Sequence, residues 1–219
     1  MSSCHYRKII WAGCKLARHK VETKEKLPWR QQRTPYRIFL AELLLVRTRS
    51  DVVARIYEDV FNHYPNIYAL GAANKDQLEK VLHPLGLSKR IPYIIKAAQH
   101  ICESHDGRIP SDVDDLLKTP GLGLYTAPAV ATFAYGQSFV PGDVNILRFI
   151  SRLTGLEMEH KTKGTKLLWE LAPLLSEDST GLSAEKLLDF TRLTCRSRKP
   201  LCDECPLSRF CVFVQEENR

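Results

Sequence analysis

The sequence predicts an all-α protein of about ten helices joined by short turns. Three observations carry this: apolar residues recur at helical spacing in one segment after another, no convincing alternating run of four or more residues occurs, and Gly or Pro separates the helical segments at short intervals. Residues 6–20, YRKIIWAGCKLARHK, space their apolar side chains as a helix does, with basic residues between them. A polar stretch at 22–26 leads to Leu27-Pro28-Trp29-Arg30, where Pro28 and Pro35 bound an irregular segment. Residues 36–47 are the most hydrophobic helix candidate, 51–63 form another closed by Tyr64-Pro65, and 75–82 a shorter one stopped by His83-Pro84-Leu85-Gly86-Leu87. The next helix spans 92–104. Pro120, Gly121 and Gly123 interrupt two helix-compatible runs, 113–118 and 125–134, giving a helix, a tight glycine hairpin and a second helix. Asp143, behind Pro141-Gly142, precedes the amphipathic run 144–152, residues 157–165 read as a polar loop, and 166–175 and 183–194 are the last helices before a cysteine-rich tail.

Composition narrows the function. With 219 residues, 44% of them apolar, the chain can bury a core as one domain or two small ones. Thirty-two Lys and Arg against 25 Asp and Glu leave a net charge of +7, which favours a polyanionic partner without choosing between DNA, RNA and an anionic membrane. Apolar runs such as 38–46 are broken by Glu42 and are too short to span a bilayer, and the basic N-terminus lacks a continuous hydrophobic region, so neither a membrane segment nor an export signal is expected.

Four of the seven cysteines sit within 195–211, while Cys4, Cys14 and Cys102 are scattered, a pattern that points to metal binding in a reducing compartment over a disulfide framework. The spacing Cys195-x6-Cys202-x2-Cys205-x5-Cys211 lacks the two short knuckles and long spacer of structural zinc sites, whereas four-cysteine ligation of an iron–sulfur cluster tolerates such a loop. Zinc and free structural thiols stand as the alternatives. Arg196, Arg198, Lys199 and Arg209 lie in the same loop, either to offset a cluster's negative charge and face a phosphate backbone or simply to keep the loop solvated.

Other residues carry candidate chemistry. Glycines at the hairpin let the backbone approach a ligand closely, and unpaired N–H groups at the start of the second helix can hold a phosphate without reading sequence. Asp143 is placed to cap a helix. Glu42 interrupts FLAELLLV, where a carboxylate facing the core is costly unless it is paired or lines a polar cavity; its other place is the solvent face. HPLGLSK at 83–89 and TPGLGLY at 119–125 each put Gly-Leu at the join of two helices, too short a match to make a repeat.

PGLGLYTA, followed by GDVNILR with Asp143 eighteen residues after Tyr125, and then by the four-cysteine tail, resembles the helix-hairpin-helix DNA glycosylases that carry an iron–sulfur cluster, the group of endonuclease III and the adenine mismatch glycosylase. The resemblance runs from about Leu27 to Cys211. Bifunctional lyases of the family have lysine at the position of Tyr125, adenine glycosylases typically serine, and the mismatch-specific thymine-DNA glycosylases tyrosine. It implies a six-helix domain at 28–135 containing the hairpin and a second domain joining 1–27 to 136–219, the two flanking a DNA-binding groove, with a [4Fe–4S] cluster on Cys195, Cys202, Cys205 and Cys211 in the loop 195–211.

The activity it implies is that of a monofunctional DNA glycosylase of base-excision repair, removing thymine or uracil opposite guanine, with little or no strand cleavage. Asp143 matches the catalytic carboxylate, beside an oxocarbenium-like sugar. Tyr125 matches the mouth of the pocket, where a phenol cannot form a Schiff base. Glu42 matches a pocket carboxylate that hydrogen-bonds or protonates the extruded base. Arg47 matches the residue that fills the vacated space and contacts the estranged base, and Leu87 an exposed wedge inserted between bases. Lys89, Arg90 and the hairpin glycines Gly121 and Gly123 are expected at the phosphates. The partner implied is duplex DNA with a mismatched or damaged base, met by a monomer in the nucleoid-associated cytoplasm of a prokaryote.

Rival readings are an adenine glycosylase acting on A opposite G or 8-oxoguanine, a glycosylase for another modified base, and a non-catalytic iron–sulfur DNA-binding module. Tyr125 speaks against the first, as does a chain that ends soon after Cys211, with no room for the extra recognition domain of those enzymes. Thr119 in place of the usual leucine, Leu124 where a basic residue is common, and Val46 in place of a polar residue depart from the family pattern.

Overall fold

A computed structural model describes residues 3–21, 26–137, 142–157, 170–171, 173–175 and 177–217. Residues 158–165 of the expected loop, half of the expected helix 166–175, and the polar stretch 22–26 except Lys26 lie outside the described residues. The described helices are α1 (Ser3–Arg18), α2 (Pro28–Gln31), α3 (Pro35–Leu45), α4 (Ser50–His63), α5 (Ile67–Gly71), α6 (Lys75–Leu82), α7 (Ile91–His105), α8 (Val113–Lys118), α9 (Thr126–Tyr135), α10 (Val144–Thr154), α11 (Glu177–Thr180), α12 (Ala184–Leu193) and α13 (Val212–Glu217), with single 3-10 turns at His83–Leu85, Ser88–Arg90 and Ser208–Phe210. No strand occurs among the described residues. Two compact units form, Lys24–Gly136 on one side and Met1–Thr23 with Gln137–Arg219 on the other.

Local chemistry starts most of these helices. Thr34, Asn66, Asn74, Asp112, Asp143 and Ser183 each accept a hydrogen bond from a backbone N–H two or three residues on, satisfying donors that a helix leaves open. Pro28 and Pro35 stand in first turns, where a missing N–H costs nothing. The expected irregular segment between Pro28 and Pro35 therefore begins with one turn of helix, Pro28–Gln31.

In the unit Lys24–Gly136, α3 is the axis. Every residue from Arg37 to Leu44 is buried, and the helix packs against α9 and α4 while α5 packs against α7. The stretch Thr126–Ala131 of α9 is buried too, its alanines permitting close approach. Arg37, 6% exposed, is tolerated inside because its guanidinium makes a two-pronged pair with Glu58 at 2.8 and 3.1 Å and lies 3.7 Å from the Phe61 ring centre. Helix α3 ends at Leu45, short of the expected Arg47, because Val46 leaves the helical region with ψ 112 and Arg47 follows in a left-handed backbone with φ 59.

In the other unit α10 is central. Its Ile146, Leu147, Phe149, Ile150 and Leu153 form a core with Ile9, Ala12 and Leu16 of α1, Leu187 and Phe190 of α12, and Leu207. Each of the Ile, Leu and Phe side chains contributes roughly 1.5–3 kcal/mol on burial. This core sets the floor under the cysteine loop, against which Cys195 and Cys205 also pack. No helix among the described residues is long and apolar enough to cross a membrane.

Candidate active site

The hairpin between α8 and α9 is built by its backbone. The Leu122 N–H donates to the Thr119 carbonyl and the Ala127 N–H to the Gly123 carbonyl, each at 3.1 Å. Gly121 has φ 84, a conformation a Cβ disfavours, and a Cβ there would stand 3.2 Å from the Tyr93 Cβ. Gly123 differs: its φ is outside the left-handed region, and a Cβ would meet nothing within 4 Å. Nothing in the fold requires glycine at 123, so the open face there is available to a ligand. Among the described residues the N–H groups of Gly123 and Leu124 enter no hydrogen bond, which leaves them free to bind an anion. Tyr125 is half-buried at the N-cap of α9.

Elsewhere in the same unit, Glu42 lies in α3 with 3% exposure, so the solvent-face alternative for this carboxylate is overturned. Arg47 is exposed just beyond the end of α3. The loop 86–90 departs from expectation in two ways. Leu87, expected as an exposed wedge, is only 6% exposed, tucked between left-handed Gly86 and the 3-10 turn that follows. Arg90, expected at a phosphate, is half-buried and donates from Nη1 to the Val46 carbonyl at 3.2 Å, leaving Lys89 as the fully exposed cation of this turn.

Asp143 belongs to the other unit and is half-buried. It does cap α10: its Oδ1 accepts from the Asn145 N–H at 2.7 Å and the Ile146 N–H at 3.3 Å, and Oδ2 takes no part in either bond. From this cap a chain of contacts runs to the cysteines. Arg148 donates through Nη1 to the Asn145 Oδ1 at 2.9 Å, through Nε and Nη2 to the Cys195 carbonyl at 3.2 and 2.8 Å, and through Nη2 to the Thr191 carbonyl at 2.9 Å. Burial lowers the Arg148 pKa, against the opposing pull of Cys195. Arg152, one turn on, donates to the Arg196 and Ser197 carbonyls at 2.6 and 3.1 Å and approaches the Cys195 sulfur at 3.7 Å.

The thiols of Cys195, Cys202, Cys205 and Cys211 line one cavity of roughly 400 Å³, open mouth included, walled by Phe149, Leu153 and Phe213. Among the described residues no three His, Cys, Asp or Glu group closely enough to hold one metal ion. Burial pushes the Cys205 thiol up to about 11 and raises that of Cys211 as well, so each is neutral by itself near pH 7. Metal coordination turns such thiols into thiolates.

A sequence profile of HhH-GPD superfamily base excision DNA repair proteins matches residues 40–174. The chain belongs to this superfamily. A profile of the iron–sulfur binding domain of endonuclease III matches residues 195–211, so this HhH-GPD protein carries the iron–sulfur segment on the four cysteines that share the cavity. It is similar to the thymine-DNA glycosylase of Aeropyrum pernix, at 33% identity over 91% of this chain and 92% of that one. To the thymine/uracil-DNA glycosylase of Methanothermobacter thermautotrophicus it is 32% identical, over 88% of each. The solved structure of a thermostable thymine-DNA glycosylase superposes with a TM-score of 0.84 at 29% identity, covering 97% of this chain and 98% of that one.

Reading the HhH-GPD sequence alone misses Arg148 and Arg152. Their spacing of four on an amphipathic helix is also what a solvated polar face shows. The usable signal was a pair of arginines one turn apart, shortly after a capping Asp and ahead of a cysteine tail.

Proposed function

We propose that this base-excision DNA glycosylase hydrolyses the N-glycosidic bond of thymine or uracil mispaired with guanine in duplex DNA. The observation that carries the reading is the carboxylate of Asp143 at the start of α10, with one oxygen uncommitted to its cap; Tyr125 at the start of α9 supports it by offering a phenol and no amine. The thymine- and uracil-directed names of its relatives support the choice of base.

A base inside a duplex must be extruded before its glycosidic bond can be reached, and mispaired bases leave the stack at least cost. As the base departs, positive charge grows on the sugar. Asp143 stabilises that charge and orients or deprotonates the attacking water. Glu42, in its buried position on α3, hydrogen-bonds or protonates the departing base. Tyr125 lines the mouth of the pocket; with no amine there, no Schiff base forms and the strand is left uncut. Arg47 offers its guanidinium to the guanine edge, while Lys89 and the hairpin at Gly121 and Gly123 meet phosphates.

Cys195, Cys202, Cys205 and Cys211 would hold a [4Fe–4S] cluster, joining the C-terminal loop to the core that α10 forms beneath it. Arg148 and Arg152 offset its negative charge and fix the loop carbonyls. The enzyme works as a monomer on nucleoid DNA in a prokaryotic cytoplasm, drawn to its substrate by a net charge of +7.

The test is a panel of end-labelled duplexes carrying G:T, G:U, A:G, A:8-oxoguanine or thymine glycol, assayed with and without hot alkali. Alkali-dependent cleavage confined to G:T and G:U is expected. Release of adenine would establish the rival specificity, and nicking without alkali would mean lyase chemistry that Tyr125 cannot supply.

A further inference from the structure

The turn after α3 and the loop 86–90 are joined by one side chain. Arg90, 44 residues from Val46, donates from Nη1 to the Val46 carbonyl oxygen at 3.2 Å. Its own backbone N–H donates to the Leu87 carbonyl at 2.7 Å, so the guanidinium projects from a fixed 3-10 turn.

The Val46 carbonyl and the Arg47 N–H belong to a single planar peptide unit, so a donor that holds the oxygen also holds the plane from which Arg47 takes its φ. That φ is 59, in the left-handed region a residue bearing a Cβ avoids. Thr48 Oγ1 reaches the same oxygen only at 3.5 Å, which makes Arg90 the firmer restraint. Charge acts in the same direction. Arg90 is half-buried and Arg47 is exposed beside it, and among the described residues neither joins an ion pair. Two guanidiniums without a carboxylate between them repel, which favours an outward course for the exposed one, Arg47.

We propose that Arg90 is a positioning residue for Arg47: it fixes the Val46–Arg47 peptide and thereby aims Arg47 at the base left behind when its partner is extruded. The inference rests on the reading of Arg47 as the probe of that opposite base, and it replaces the phosphate-contact role expected of Arg90.

The test reads equilibrium binding to duplexes carrying a tetrahydrofuran abasic analogue opposite guanine or adenine, which needs no catalysis. Wild type is expected to prefer guanine, and Arg90→Met and Arg47→Ala each to lower that preference by about tenfold. In the double variant the preference is expected to equal that of Arg47→Ala alone, because Arg90 acts through Arg47. Multiplying effects in the double variant would overturn the proposal. So would a preference unmoved by Arg90→Met together with a salt dependence shallower by about one ion, the mark of a lost phosphate contact. Should Arg90→Met not fold, Arg90→Lys carries the test: it keeps one donor and should stay within about twofold of wild type, and a fall to the Arg47→Ala level would overturn the proposal. Failure to release any base from G:T or G:U would instead count against the proposed reaction, leaving the binding result to decide on Arg90.

Discussion

Helices α3 and α10 are the buried axes of the two units, and they handle charge in opposite ways. Helix α3 takes Arg37 into its own interior and neutralises it with Glu58 from α4. Helix α10 keeps its core face apolar and spends Arg148 and Arg152 on backbone carbonyls of Thr191, Cys195, Arg196 and Ser197. The Arg37 charge is thus met by another protein group, Glu58. The other unit gathers cations and four thiols round a cavity that protein atoms do not fill. The difference teaches that loss of iron should be felt in one unit and hardly in the other.

The largest effect is expected from the residue that starts α10. Asparagine caps a helix as well as aspartate does but cannot stabilise a cationic sugar, so Asp143→Asn should slow base release by about a thousandfold while stability stays within about 0.5 kcal/mol. Single-turnover kinetics beside thermal melts would check this; a large loss of stability would mean that the carboxylate serves mainly the fold.

Removing the iron tests the comparison directly. Stripping it with a chelator under reducing conditions should weaken amide-exchange protection in α12 and residues 194–213 by at least about a hundredfold, roughly 3 kcal/mol, and leave α3 and α9 unchanged. Equal losses in both units, read by exchange mass spectrometry, would break the contrast.

The hairpin glycines give a smaller pair of effects. Gly121→Ala should cost about 1–2 kcal/mol because φ 84 disfavours a Cβ. Gly123→Ala should leave the melting temperature unchanged or slightly raised, yet weaken duplex binding by about tenfold as the added methyl meets a phosphate.

Smallest is a pH effect confined to α3's unit. The Tyr57 hydroxyl donates to the Arg37 carbonyl at 2.6 Å, and burial raises its pKa and that of Tyr36. With folded values above unfolded ones, the stabilisation is complete below about pH 10 and is lost as pH rises towards the folded values. Tyr57→Phe should therefore cost about 1 kcal/mol near neutrality and flatten the alkaline decline, as measured by urea denaturation across that range.

These contrasts also show what a chain reveals unaided. Helix α6 has the bounds 75–82 that its sequence predicts, because Asn74 caps one end and Pro84 lies just past the other. Helix α5, five residues behind Asn66, escaped notice because so short a run holds too little periodicity. The cysteine spacing pointed to a metal centre because ligands to one centre must fall close together, and the resemblance to the family motif implied a cluster. Burial of Leu87, the hydrogen bond from Arg90 and the carbonyls sought by Arg148 and Arg152 depend on segments tens of residues apart, which local pattern does not encode.

On the proposed reaction, the Asp143 cap bears on speed as well as on shape. A carboxylate on a loose loop spins among rotamers and must be arrested each time a reactant arrives, a loss of freedom charged against every turnover. Here two amides grip one oxygen at 2.7 and 3.3 Å, so that immobilisation is settled when the helix forms and the second oxygen inherits a fixed bearing.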